Sequence, residues 1–443
     1  MAEPRYAEDD ARPDVGAPGG WGASLGALLA SGMEMATVLT MVVVVVSVAA
    51  GVFCRYVLNR PLAGADEIAT LGLVWLTFLG GAVAQRRHAH PRISLGMASL
   101  TPGAGAWVDA CTRLVEIGFF AGVCWQSLGL FRLRLGEVSA GIGFDMSLYP
   151  LALLLGVTAT GLFTLGHLAT LPWRVVRGVL AGAGGLGVGG TLLLAVTGGH
   201  LPHLPTTGVL LVGFPVLLLV NAPLAVAIGL PAFVALHGLG GAHLLLLPQR
   251  LIAGADNFVL LAIPLFVLAG RLMETGGISR RLVALALAMV GHLRGGLAHV
   301  TVVGEILFSG ISGSATADVA VLGTLLLPAM EREGYRRAEA VAIVSAAAAM
   351  GILVPPCLLM VVLATLTNLS VTALFLAGFL PAAVLAGVLM LLIAFQAWRQ
   401  HWPVVTRASW GSLGRALRAA LLPLLLPVLI FGSIFGRVPL ACG

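Results

Sequence analysis

The stretch SGISGSATADVAVLG, residues 309–323, sets small and polar residues between two apolar segments. Hydroxyls at Ser312, Ser314 and Thr316 and a carboxyl at Asp318 fall where the surrounding pattern reads as membrane interior. Irregular backbone at that depth is tolerated only where protein or a water-filled cavity covers it. The stretch therefore predicts a chain reversal inside a membrane protein, with Gly310 and Gly313 permitting the sharp turn. The composition agrees. The chain is 59% hydrophobic and 10% charged, with a mean hydropathy of +1.02, against about 25% charged residues in soluble domains.

Outward from this stretch, apolar runs long enough to cross the hydrocarbon recur from end to end, at 33–54, 66–86, 107–131, 148–171, 178–197, 207–236, 258–274, 283–308, 338–363, 371–397 and 416–436. Backbone in lipid must satisfy its own hydrogen bonds, and the alternating pattern of a barrel is absent, so these runs predict helices. The expected fold class is an all-α polytopic membrane protein. The net charge of +6 is a topology signal rather than a nucleic-acid footprint. Basic residues gather in the short loops QRRHAHPR (85–92), WRVVR (173–177) and WRQHWPVVTR (398–407), which predicts that these loops and the N-terminus are cytoplasmic. The five cysteines show no CxxC spacing and read as packing residues. No nucleotide-binding loop occurs, so direct ATP use is not expected.

Charge order divides the chain into a disordered polar tail (1–25), a four-helix membrane domain (26–174), a Gly-rich connector helix (175–205) that returns the chain to the outside near 199–206, and a second domain (206–443) dense in Gly, Pro and small polar residues. In the second domain, MGILVPPCLLM (350–360) is a further broken element. Two adjacent prolines remove two helix donors and free the carbonyls from Gly351 to Val354. Transporters use such breaks: half-helix N-termini face anions, and unwound carbonyls and hydroxyls hold sodium. Taken singly, the first element also suits close packing of small residues, and the second an ordinary proline kink. Together, with Asp318 at a costly depth, they favour a site. His88 and His90 lack a third metal ligand and read as part of a solvated loop. Glu116 and Glu305 are each expected to pair with an Arg across a helix interface, Glu116 structurally. Arg55 and Glu67 are expected to bracket the first loop.

At these residues a resemblance becomes specific. AIPLFVLAGRLMETGGISRRL (262–282), SGISGSATADVAVLGTLLLPAM (309–330), REGYRRAEAVA (332–342), GILVPPCLLM (351–360) and LFLAGFLPAAVLAG (374–387) follow one another as in the large membrane subunit (M) of tripartite ATP-independent periplasmic (TRAP) transporters. RYVLNRPLAGADEIATLGLVWLTFLGGAVAQRRHAH (55–90) resembles the small four-helix subunit (Q), with Gly64 where the family usually has Trp. The chain thus resembles a fused QM permease of the bacterial inner membrane. The resemblance implies sodium-coupled import of a small organic anion (a C4-dicarboxylate, another carboxylate or a sialic acid) handed over by a periplasmic substrate-binding protein. It has no other cofactor and no enzymatic activity. It further implies an elevator-type M domain moving against a Q-like scaffold. By motif, Ser312, Gly313 and Ser314 form the tip of a re-entrant hairpin, and Gly351, Val354 and Pro355 lie on the broken helix facing it. Together they line a sodium site, with Thr316, Asp318 and Cys357 beside the substrate. Cys357 stands where the family commonly has Ser, and a thiol is a poorer sodium ligand than a hydroxyl.

M subunits are inverted repeats, and the ending LPVLIFGSIFGRVPLACG (426–443) falls where the first repeat gives way to the second. The expectation is a chain that holds one repeat and does not transport alone, with a non-transporting membrane scaffold as the alternative. GRVPLACG read one base later permits Gly-x-Phe-x-Ser-Pro-Ala, near the family's continuation, so a frameshift is the expected origin of this ending. An intramembrane hydrolase is excluded, because no serine has a paired base.

Overall fold

The computed structural model describes residues 21–92, 101–183, 206–238, 244–312, 315–402, 404 and 407–435. Among these the regular structure is helical, apart from one bridge between Val138 and Asp145. The all-α fold expected from the sequence is therefore the fold observed. Among the described residues five helices are long and apolar enough to cross a membrane: Gly26–Tyr56, Ala65–Arg86, Gly103–Arg134, Leu148–Ala169 and Val371–Arg399. The chain divides into two compact units, Met1–Asp256 and Asn257–Gly443.

The first unit holds α1 (Trp21–Tyr56), α2 (Ala65–Arg86), α3 (Pro102–Arg134) and α4 (Leu148–Ala169), followed by α5 over residues 173–183. Helix α2 packs on α1 and α4, and α4 packs on α3. Gly156 permits the close approach of α2 to α4, since a Cβ there would meet the Phe78 carbonyl oxygen at 2.6 Å. Helix α1 leaves Val38, Leu39, Val42, Val43 and Val46 exposed, an apolar face suited to lipid. The 207–236 run is two helices, α6 (Thr206–Leu219) and α7 (Leu224–Gly238). Asn221, at φ +63°, turns the chain between them, and Pro223 follows. Asn is among the few non-glycine residues that visit this region readily.

Helix α7, with α8 (Leu246–Ala255), packs into the same unit. One apolar core joins Phe119 and Val123 of α3, Leu153 and Val157 of α4, Val226 of α7 and Leu247 of α8. Two backbone carbonyls fasten the α6–α7 turn: Thr112 Oγ1 donates to Val220 O at 2.9 Å, and Leu224 N–H donates to Pro91 O at 3.1 Å.

The second unit begins with a 3-10 turn (Phe258–Leu261) and continues through α9 (Ala262–Thr275), α10 (Ile278–Val290), α11 (Gly296–Ser312), α12 (Ala315–Arg332), α13 (Arg337–Gly351), α14 (Leu358–Thr367), α15 (Val371–Arg399) and α16 (Trp410–Phe435). Helix α11 is central, packing against α9, α10, α12, α13, α15 and α16. The run at 283–308, expected as one span, is broken between α10 and α11. Gly295 takes φ +74°, and a Cβ on Gly296 would overlap the carbonyl oxygen of Gly291, so glycines make the turn.

Candidate functional site

Helices α11 and α12 form the hairpin that the opening stretch predicts. Ser312 ends α11 and Ala315 begins α12. Gly313 and Ser314 lie outside the described residues. Thr316 stands in the first turn of α12, and Asp318 is buried one turn further on. The second broken element is equally distinct. Helix α13 stops at Gly351, residues 352–357 form a turn containing a cis Pro355–Pro356 bond, and α14 starts at Leu358. Within the turn Leu353 N–H donates to Met350 O and Val354 N–H to Gly351 O, both at 2.9 Å. Gly351, Val354, Pro355 and Cys357 are all buried.

The two elements meet through α11. Ser309 Oγ donates a hydrogen bond to Gly351 O, and a Cβ on Gly310 would lie 3.8 Å from Pro355 O. The Gly351 carbonyl, freed from its helix by the break, thus takes two donors, Ser309 and Val354. Glu305, one turn before Ser309 on the same face of α11, fills the space a side chain at 351 would need: a Cβ on Gly351 would overlap its Oε1. Helix α15 closes the other side, where Gly378 admits the Leu353 carbonyl.

Glu305 corrects an expectation. No Arg crosses a helix interface to it among the described residues. Its carboxyl is fully buried and hydrogen-bonds to the carboxyl of Asp318, the charged group beside it. Glu116 meets its expectation. Also fully buried, it takes Gln85 Nε2 at 3.0 Å and Arg92 at 3.3 Å, with Arg113 at 4.0 Å. Arg55 pairs with Asp66 at 3.0 Å rather than with Glu67. Glu67 instead accepts from Ser139 Oγ at 2.5 Å and Ile142 N–H at 3.3 Å. His88 stacks on His167 with ring centroids 4.0 Å apart, and His90 Nε2 lies 3.0 Å from Gly81 O. Burial lowers the His90 pKa from its ordinary value, which keeps the ring neutral and its N–H free to donate. No cluster of three metal-ligating His, Cys, Asp or Glu occurs among the described residues.

The donor set at the junction is oxygen throughout: the Gly351 carbonyl, the Ser309 hydroxyl, and the carboxyls of Glu305 and Asp318. Hard cations prefer such ligands. Sequence reasoning assigned Gly351 but passed over Ser309. The available signal was spacing, since Glu305 and Ser309 lie four residues apart, on one face of a helix.

Comparisons with known proteins cover both parts of the chain. Residues 211–440 match the DctM component of tripartite ATP-independent periplasmic transporters, and residues 44–172 match the DctQ component. The isethionate TRAP transporter permease protein DctMQ of Oleidesulfovibrio alaskensis is 32% identical over 340 residues, covering 75% of this chain and 52% of that protein. An uncharacterised Salmonella typhimurium protein, YgiK, is 43% identical over 233 residues, 52% of this chain and 54% of its own length. The C4-dicarboxylate large permease protein DctM of Vibrio cholerae is 38% identical over 212 residues, 44% and 46% of the two chains. The chain spans about half the length of these curated relatives. A hairpin closing on a broken helix, in a chain matching both membrane components in order, makes this protein a member of the TRAP transporter permease family, with its small- and large-subunit parts fused in one polypeptide.

Proposed function

We propose that the chain belongs to the membrane part of a sodium-coupled importer of the bacterial inner membrane, holding one M repeat and not transporting alone. Its substrate is a small organic anion delivered by a periplasmic binding protein, and its N-terminus is cytoplasmic. The observation that carries this reading is the hydrogen-bonded contact of α11 with the break at 351–357. Relatives named for C4-dicarboxylate and sialic acid transport support a carboxylate substrate. Ser312, Gly313, Ser314, Gly351, Val354 and Pro355 would hold the sodium ion, with Thr316, Asp318 and Cys357 towards the substrate. Sodium bound there supplies one positive charge to a junction otherwise made of carbonyls, hydroxyls and carboxyls.

The chain's own residues do the rest. Ser309 fixes the Gly351 carbonyl. Pro355 and Pro356 keep the backbone from closing back into helix. Helices α12 and α14 both begin at the junction, so their N-terminal dipole ends favour an anion. Both broken elements belong to the second unit, as an elevator-type mechanism requires of a domain that carries its cargo. The first unit, which contains the DctQ match and helices α6 to α8, would be the static scaffold.

Thermal unfolding of the purified chain in detergent tests the reading, with sodium exchanged for choline at constant ionic strength. Sodium is expected to raise the melting temperature, and the double variant S312A/S314A to lose that rise. An unchanged sodium response in the double variant rejects the assignment. Uptake of labelled carboxylates into proteoliposomes, with the binding protein present and a sodium gradient imposed, tests transport itself.

A further inference from the structure

We propose that the first unit holds an anionic phospholipid in a groove between α1, α2 and α4, with an acyl chain in the groove and the phosphate at Arg86 and Arg87. The groove encloses about 390 Å³ and is lined by Gly32, Met33 and Ala36 of α1, Trp75 and Leu79 of α2 and Leu155 of α4. None of these residues is charged, so the groove suits hydrocarbon. Gly32 sets it apart from a helix seam. Elsewhere along the α1–α2 pair small residues are spent on close packing. A Cβ on Gly51 would lie 3.1 Å from the Ala65 Cβ, and one on Gly72 would come within 2.6 Å of Val44 Cγ2. A Cβ on Gly32 would meet nothing within 4 Å.

One end of the groove carries charge. Trp75, Leu79 and Arg86 follow one another on one face of α2, at intervals of four and seven residues, which sets Arg86 about 10 Å beyond Leu79. There Glu34 Oε1 receives Arg87 Nη2 at 2.9 Å and Arg86 Nη1 at 3.4 Å. Two guanidinium groups share one carboxylate, so one positive charge is left over. All three side chains are between one-third and two-thirds exposed, and no other acid pairs with either arginine among the described residues. Guanidinium matches the geometry of a phosphate, and basic residues at the ends of membrane helices draw anionic headgroups. Apolar groove and cationic rim thus lie end to end along α2, in the order that acyl chain and phosphate have in a lipid. A second copy of the chain, or a further helix, would also fill an apolar groove, but neither accounts for the surplus charge at its rim.

Native mass spectrometry and thermal unfolding of the full chain in detergent, with phosphatidylglycerol or phosphatidylcholine added, test the proposal. The wild type is expected to retain phosphatidylglycerol in preference to phosphatidylcholine and to melt at a higher temperature with it. R86Q/R87Q is expected to reduce that preference by about tenfold. E34Q, which releases both arginines from their carboxylate, is expected to strengthen it. G32L fills the groove and is expected to lower retention of both lipids. Without lipid it should melt no lower than wild type, because a side chain at 32 enters open space. Equal retention of the two lipids by the wild type, or a preference unchanged in R86Q/R87Q, overturns the proposal. So does wild-type lipid retention in G32L. If G32L melts lower and loses a dimer present in the wild type, a second copy fills the groove. If it melts lower as a monomer, another helix of the chain fills it, and either result overturns the lipid assignment. Should G32L fail to fold, A36L replaces it in the same groove, with undiminished lipid retention as the overturning result.

Discussion

Glu116 and Glu305 are the same residue in the same condition, fully buried within the helices of the two units. Their surroundings differ. Glu116 receives a Gln85 amide and the Arg92 guanidinium, with Arg113 close by, and Gln85 continues to Thr164 at 2.8 Å. This network ties α2, α3, α4 and the loop after α2 into one body. Glu305 has no cation beside it among the described residues: it shares a hydrogen bond with the carboxyl of Asp318 and lies against the backbone at Gly351. An arginine-paired carboxylate stays charged and ties helices together, whereas two facing carboxyls share a proton.

The largest expected effect breaks the arginine-paired side. Replacing Glu116 by Ala leaves the buried Arg113 and the largely buried Arg92 without their shared carboxylate. Removing one partner of a buried pair typically costs about 3–5 kcal/mol. The E116A chain should melt well below wild type in sodium and in choline alike. A loss confined to choline would erase the distinction between the two carboxyls. The next effect sharpens the carboxyl-paired side. G351A inserts a Cβ into the space of Glu305 Oε1, and overpacking of this kind costs about 1–3 kcal/mol. Because the strain is specific to that carboxylate, shortening it in G351A/E305A should recover most of the loss. A double-mutant cycle showing simple additivity would place Glu305 elsewhere.

S309A comes third, with one hydrogen bond to the Gly351 carbonyl removed. The expected cost is about 1 kcal/mol, since Val354 N–H still serves that oxygen. Its diagnostic feature is a second readout: the sodium titration should weaken with the stability, because the same hydroxyl orients the carbonyl and offers its lone pairs. A stability loss with an intact titration would reduce Ser309 to a structural hydrogen bond.

Much of this contrast is readable in the sequence, and the unread part has a common cause. Gly, Ser and Pro at 309–314 and 351–356 act through local backbone conformation, so both broken elements declare themselves. Glu116 is legible because Arg92, in the basic loop before α3, and Arg113 precede it. The turn at 291–295 is less so, since GHLRGG is short and flanked by apolar runs that read as continuous. The role of Glu305 depends on what six other helices fail to bring near it, which no local pattern encodes. Packing of α7 and α8 into the first unit is likewise a tertiary choice, made by Val226 and Leu247 meeting Phe119, Val123 and Leu153. The tip residues Gly313 and Ser314 remain expectations from sequence alone.

The smallest effect is at Asp66, which is best read against its neighbour Glu67. They are adjacent in sequence at the start of α2, and they separate the same two behaviours at the surface. Asp66 meets Arg55 with both side chains about half exposed, where solvent screens the attraction and the pair contributes about 0–1 kcal/mol. Glu67 instead receives Ser139 Oγ and the Ile142 N–H from the loop joining α3 to α4. It therefore closes that loop over the start of α2, and charge-assisted hydrogen bonds of this type contribute about 1.5–3 kcal/mol. D66N should leave the melting temperature within a degree or two of wild type, and added salt should erase the difference. E67Q should cost more and should expose residues 135–147 to proteolysis, because those donors lose their charged acceptor. Neither variant touches the junction at Gly351, so both should keep the wild-type sodium titration. A sodium response altered by D66N or E67Q would mean that the ion is sensed in the first unit, and the division of labour between Glu116 and Glu305 would have to be redrawn.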